Sequence, residues 1–270
     1  MIAKALFDRR PHHGSEEFRL RLRGVKNGLA RVDVMSRDRS FTAPTSLRLD
    51  TSDVPVFERI FINNDYNMRK FKRWDEIVSL YDSICKRAVP LIIDLGANVG
   101  LASLYFAKNW PKAHIISVEP SDENYEFLCR NTAGHRNIQP LRAAAASKDS
   151  HVTLSNPEMQ EWSYFTALAD SPATDTVPAL SMQSIMNMAP KGQIYEPFIA
   201  KIDIEGFEEN LFSADTEWVS RFPIIIIELH DFYFAKQGKS APFLKTVAPL
   251  NRDFIYVDEN VFSIDNEFRL

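Results

Sequence analysis

Cysteine is scarce. The chain of 270 residues has two, Cys85 and Cys129. Each falls within a predicted helix, and neither has a second Cys or a metal-ligand spacing beside it. That excludes a disulfide framework and a cysteine-based zinc site, and it fits a reducing compartment. Long hydrophobic runs are missing too: the longest, near Leu91 and Ile224, fall far short of the ~20 residues that a membrane-spanning helix needs. Met1 to Leu6 lead straight to Asp8, Arg9 and Arg10 with no apolar core, so no signal peptide is predicted. These absences predict a cytoplasmic protein. Nor is there a dominant charge. Lys and Arg number 32 against 36 Asp and Glu, a net charge of −4, which offers nucleic acid no broad basic surface. Basic residues do cluster from Arg9 to Arg48 and from Arg69 to Arg73. They read as a solvated surface or as a contact for an anionic glycan or lipid headgroup. The apolar fraction, 45%, suffices for one large α/β core plus an extension.

Leu91-Ile92-Ile93-Asp94-Leu95-Gly96-Ala97-Asn98-Val99-Gly100 reads as a buried strand ending in an acid and running into a glycine turn. Leu101 to Lys108 then have apolar groups at helical spacing. Strand, glycine turn and helix start make the front half of a nucleotide-binding crevice in an open α/β sheet. The pattern is D-x-G-x-N-x-G. It lacks the G-x-G-x-x-G of dinucleotide folds, in which a helix N-terminus meets a pyrophosphate. S-adenosylmethionine has no phosphate to hold, and an acid at the strand end with close glycine backbone suits its ammonium and sulfonium. The bland alternative is any strand–turn–helix corner. Ala113 to Pro120 reads as the next strand. Its terminal acid, Glu119, lies about 20 residues beyond the glycine turn, the offset of a ribose-binding carboxylate. The alternative is a solvated loop acid.

Around this centre the pattern predicts further elements. Phe18 to Leu22 and Leu29 to Val34 alternate like strands, with Gly24, Asn27 and Gly28 as hairpin-turn residues. Such a hairpin packs either on the main domain or on a second copy in a homo-oligomer. Val54 to Ile62 is a short strand or helix. Trp74 to Arg87 is an amphipathic helix stopped by Pro90. Pro120 and the acids after it open a helix that runs to Asn131 and ends at Gly134, with Asn124 as a cap or an adenosine contact. Ile138 to Ala146 is the third core strand. Its small residues around Ala144 offer a flat adenine slot or a tight helix contact. His151 to Leu154 is a short strand. The loop from Asn156 to Asp175 is long enough for a lid or substrate wall, where Trp162, Tyr164 and Phe165 would stack on a sugar or serve as core. Thr176 to Leu180 and Ser181 to Met188 follow as strand and helix.

In the fourth core strand, Phe198 to Glu208, alternation sets Lys201, Asp203 and Glu205 on one side. Unpaired buried charge is costly, so these residues pair with one another or face a cleft. The fifth strand, Ile224-Ile225-Ile226-Ile227-Glu228-Leu229-His230, is apolar on both faces until Glu228 and His230 end it. Strand tips thus bring Asp203, Glu205, Glu228 and His230 to one mouth. Phe243 to Leu250 is a helix, and Asp253 to Val257 with Val261 to Asp265 is a closing hairpin.

The runs DLGANVGLASLYFAK, ISVEPSDENYEFLCRN, IAKIDIEGFEENLF and IIIIELH resemble the FkbM-type methyltransferases. The resemblance covers Asp53 to Asp265 and is strongest from Leu91 to His230. It implies an α/β fold, a Rossmann-like seven-stranded class I methyltransferase sheet, over residues 54–270. Residues 1–53 are then an accessory extension, β-rich or helical. It implies S-adenosylmethionine as cofactor, held by Asp94, Gly96, Asn98, Gly100, Glu119, Pro120, Ala144 and Asp203. The implied activity is O-methylation of a hydroxyl on a sugar, glycan or natural product. Tyr66 lies beside the implied entrance, as a ligand contact or a packed tyrosine. Two mechanisms fit the mouth. In one, His230 is the general base, oriented by Glu228 or Asp203, with Glu205 and Lys201 beside it. In the other, Asp203, Glu228 and His230 hold a divalent metal. The metal-free route is preferred, because the resemblance carries no family-wide metal requirement. Competing readings are N-methylation and a cofactor-binding partner protein without catalysis.

Overall fold

A computed structural model describes residues 17–155, 165–168 and 176–268. The alternating N-terminal stretch forms β1 (Phe18–Lys26) and β2 (Leu29–Ser36). Asn27 and Gly28 join them with φ of 51° and 74°, the left-handed pair that a tight hairpin turn requires. A third strand, β3 (Thr42–Arg48), pairs antiparallel with β2. Its Thr, Pro and Ser residues hid it from the pattern. One face of this sheet buries Phe18, Ala30, Val32, Val34, Ala43 and Leu47 in the main core. Phe18 meets Phe61 edge-on at 5.0 Å. Arg48 ion-pairs Asp53 at 2.8 Å in the buried interior, and Asn131 accepts from the Ser46 amide at 2.8 Å. Packing is therefore continuous across the expected boundary at Asp53.

The Val54 segment is helical: α1 (Asp53–Glu58) continues into a wider turn over Arg59–Asn63. Next come α2 (Trp74–Cys85), β4 (Val89–Leu95), α3 (Leu101–Asn109), β5 (His114–Val118) and α4 (Asp122–Thr132). Ser121 caps α4 by accepting from the Asn124 amide. The expected strand from Ile138 to Ala146 is two strands in two sheets, β6 (Ile138–Leu141) and β7 (Ala144–Ala146). The reason lies in the partner: β6 pairs with β5 only up to Val118, where the β5 chain turns away. β7 instead pairs parallel with β10 (Thr176–Ser181), in a small sheet that also holds β8 (Ser150–Ser155) and β9 (Phe165–Leu168). β9 falls inside the stretch expected to be a loop. Trp162 and Tyr164, the expected sugar-stacking residues, lie outside the described residues, as does most of the expected lid.

The chain closes with α5 (Met182–Asn187), β11 (Tyr195–Ile202), α6 (Glu208–Leu211), β12 (Ile224–Glu228), α7 (Ala241–Val247), β13 (Arg252–Val257) and β14 (Asn260–Asp265). The main sheet has seven strands in the order β13-β14-β12-β11-β4-β5-β6. β4, β5, β6, β11 and β12 are parallel, and β14 and β13 finish it antiparallel. Ile224 and Ile226 pack into the core on one face, Ile225 and Ile227 into the core on the other. That is why four isoleucines stand in a row. No helix among the described residues is long and apolar enough to cross a membrane. The C-terminal ends of β4, β5, β11 and β12 lie along one edge of the sheet, where ligands bind in open α/β folds.

Candidate active site

The glycine turn after β4 is held from below by a buried cation. Lys201, at the end of β11, is 2% exposed. Its Nζ lies 3.3 Å from Asp94 and 3.5 Å from Asp203, and it donates to the carbonyls of Leu95 at 3.2 Å and Gly96 at 2.8 Å. Burial alone would favour the neutral amine, but Asp94 and Asp203 outweigh it and keep the ammonium charged. Asp94 also accepts from Ser103 Oγ at 2.6 Å. It is fully buried and lines neither of the cavities described below. Asp94 is the counter-ion of Lys201, beneath the turn.

Gly96 sits at φ 71°, and a Cβ there would lie 1.7 Å from the Asp203 carbonyl oxygen. The two strand tips can approach this closely only through glycine. Gly100, at φ 87°, is crowded by Leu128, 2.8 Å from where its Cβ would be. Gly100 thus sets a close packing of the α3 start on α4.

On one side of these tips lies a cleft that, with the solvent at its mouth, takes in about 600 Å³ of space. Glu119 forms one wall. It is buried, and it accepts from the amides of Asn98 at 2.8 Å and Ser121 at 2.9 Å. Burial lifts its pKa to about 7 in spite of those donors. Asn98 holds φ 48°, and its Oδ1 is buried with no hydrogen-bond partner among the described residues. Pro120, Asn124, Ala143, Ala144 and Ala145 complete the other walls.

On the other side, a cavity of about 1000 Å³ is lined by Arg59, Tyr66, Lys201, Glu228, His230 and Tyr233, among others. β11 stops at Ile202, so Asp203 and Glu205 arrive from the turn and not from a strand face. Glu205 has φ 54°. His230 is 2% exposed. Its Nδ1 lies 3.0 Å from Glu208 Oε1, and its Nε2 lies 3.6, 3.7 and 3.8 Å from carboxylate oxygens of Glu205, Asp203 and Glu228. Burial opposes charge on the imidazole, but Glu208, Asp203 and Glu205 outweigh it and push its pKa up to about 10. Burial and repulsion from Asp203 push Glu205 and Glu228 up to about 8. With so many carboxylates facing it, the ring favours its protonated form, whereas a general base acts from the unprotonated one. Its orienting partner is Glu208, not Glu228 or Asp203. Glu208 went unnoticed in the sequence, although a fourth charged residue in the run from Lys201 was a signal. Arg59, paired with Asp65 at 2.9 Å, had no such signal. Tyr66 lines this cavity, and its ring packs on Phe106 at 5.3 Å.

Residues 94–258, more than half of the chain, match the Methyltransferase FkbM domain. The chain belongs to this family. Among its relatives, methyltransferase sdnD of Sordaria araneosa is 43% identical over 63 residues, 23% of this chain and 24% of that protein. Hexuronic acid methyltransferase AglP of Haloferax volcanii is 21% identical over 169 residues, 61% of this chain and 67% of that protein. The chain thus spans about a quarter of the first relative's length. The crystal structure of monomeric WbdD is similar with a TM-score of 0.41 and 14% identity, over 74% of this chain and 42% of that one.

In this FkbM methyltransferase the two cavities share four lining residues, Gly96, Asn98, Asp203 and Glu205. The cavities therefore meet at the paired tips of β4 and β11, which Lys201 ties together. Replacing Lys201 with Met leaves Asp94 and Asp203 without their cation, and breaking one partner of a buried pair costs about 3–5 kcal/mol. Chemical denaturation of Lys201→Met should show a loss of that size. A loss below about 1 kcal/mol, the level of a surface pair, would show that the clamp does not hold the turn.

Proposed function

We propose that the protein transfers a methyl group from S-adenosylmethionine to a hydroxyl of a sugar, glycan or natural-product acceptor. The observation that carries this reading is the shared lining: a cleft suited to a nucleoside has Gly96, Asn98, Asp203 and Glu205 in common with a second, polar cavity. The residues present fit the cofactor. The unpartnered Asn98 Oδ1 is an acceptor waiting for a donor such as the ammonium. The buried Glu119 carboxylate suits a vicinal diol. Ala143 to Ala145 leave a smooth slot for adenine beside Pro120. When bound, S-adenosylmethionine supplies an electrophilic methyl group on its sulfonium.

The chain's own groups do the rest. Lys201 and the glycine turn fix the junction. Glu205 lines both cavities, and once deprotonated, above the value of about 8 to which burial and Asp203 raise it, it is the carboxylate placed to take the proton from an acceptor hydroxyl. The His230 imidazolium, held by Glu208, offsets the charge of Asp203 and Glu228 around it. Phe232 and Tyr233 follow His230 at the mouth, 58% and 64% exposed, with ring centroids 4.1 Å apart. An exposed aromatic pair over a floor of acids and Arg59 matches a pyranose, which has an apolar face and a rim of hydroxyls. The name of the relative AglP, a hexuronic acid methyltransferase, supports a sugar acceptor.

Two outcomes are expected. Screening sugars, glycans and amines with isotopically labelled methyl donor should give methyl ethers on a sugar. Label found only on nitrogen, or no label on any acceptor, would contradict the reading. The second concerns Glu119. Folding favours its protonated form, a contribution complete below the ordinary 4.5 and lost as pH rises through about 7. A ribose diol donates to the carboxylate form. Calorimetric affinity for S-adenosylhomocysteine should therefore rise from about pH 5.5 to about pH 8, by up to roughly tenfold per pH unit below the pKa. Glu119→Gln should bind weakly and without that slope. A pH-independent affinity in the unaltered chain would remove Glu119 from the ribose.

A further inference from the structure

The acid-rich end of the second cavity has a geometry that an imidazolium alone does not explain. His230 is 98% buried, since it is 2% exposed, and Glu208 holds its Nδ1 side. That contact fixes the ring so that Nε2 points into the cavity. Nε2 has no hydrogen-bond partner among the described residues; its neighbours are the carboxylate oxygens at 3.6, 3.7 and 3.8 Å. One atom each of Asp203, Glu228 and His230 lie within 4.8 Å of one another. Oxygens and nitrogens bound about 2.1 Å from one octahedral ion sit roughly 3–4.2 Å apart, so the observed spacing leaves room for an ion at the centre with only a small contraction. A histidine whose far nitrogen is held by a carboxylate is also how metal-binding imidazoles are commonly oriented.

We propose that Asp203, Glu228 and His230 form a divalent-cation site at the floor of the acceptor cavity, with Glu208 as the positioning residue behind the imidazole. Three different elements supply the set: the turn after β11, the end of β12 and the loop that follows it. Its carboxylate oxygens suit Mg²⁺ or Mn²⁺, and the single imidazole is compatible with Mn²⁺. The cation takes the place of the proton on Nε2 and provides the positive charge that Asp203, Glu205 and Glu228 lack. For methyl transfer it would acidify an acceptor hydroxyl bound to it. That role rests on the acceptor reading of the cavity, whereas the binding itself does not.

The test uses the full chain, freed of metal with a chelator, with neither methyl donor nor acceptor present. Mn²⁺ is titrated and free ion is followed by electron paramagnetic resonance. One Mn²⁺ should be taken up per chain and displaced by Mg²⁺, and the bound ion should show electron spin-echo coupling to an imidazole nitrogen. Glu228→Gln and His230→Gln should each weaken uptake at least tenfold, and the second should abolish the nitrogen coupling. Glu228 and His230 lie outside the nucleoside cleft, so unchanged S-adenosylhomocysteine binding confirms that the variants are folded. No stoichiometric uptake at millimolar Mn²⁺, or bound Mn²⁺ without nitrogen coupling, overturns the site; neither test of the unaltered chain depends on a variant. Failure of the acceptor screen would leave the Mn²⁺ result standing.

Discussion

A single buried ammonium organises this site. Lys201 reaches from β11 under the neighbouring strand, where Asp94 and the carbonyls of Leu95 and Gly96 converge on it, and it also faces Asp203. A lysine so deeply buried is tolerated only because paired charge and carbonyl oxygens replace its water. Its effect is mechanical. It draws the glycine turn against the Asp203 carbonyl so closely that residue 96 has no room for a side chain. Both cavities are built off that junction, the nucleoside cleft towards β5 and the acidic cavity towards β12.

Charge is the second constraint. Around one imidazole stand Asp203, Glu205, Glu208 and Glu228, and one positive charge cannot balance them all. Burial strengthens each repulsion, which is why Glu205 and Glu228 cling to their protons up to about pH 8. An arrangement of this kind has little use as structure. It makes sense where a proton, a cation or a developing positive charge passes through.

Much of this was legible in the chain, for reasons that differ by element. The run of isoleucines in β12 and the apolar run of β4 announce strands covered on both faces, so the sheet and its tips could be placed early. Glu119 could be found because its distance from the glycine turn is set by one turn of strand–helix–strand. The pairing of Asp94 with Lys201 was not legible, because an acid at a strand end looks the same in sequence whether it faces a ligand or a lysine on the adjacent strand. Only the β4–β11 register, which sets Lys201 opposite Asp94, tells them apart. The protonation of His230 was not legible either, because the state of an imidazole depends on neighbours from other segments. The end of β6 escaped because it is decided by where β5 turns away. The Lys201 clamp is a long-range feature with no local signature.

The central claim is that the Lys201-clamped tips of β4 and β11 form the point where a nucleoside cofactor and an acceptor meet. The most direct measurement is a crystal structure of the chain with S-adenosylhomocysteine. The account predicts the ribose hydroxyls on the Glu119 carboxylate and the sulfur at the opening bounded by Gly96, Asn98, Asp203 and Glu205. A nucleoside lodged instead in the cavity of Glu228 and His230, with Glu119 free of it, would contradict the account.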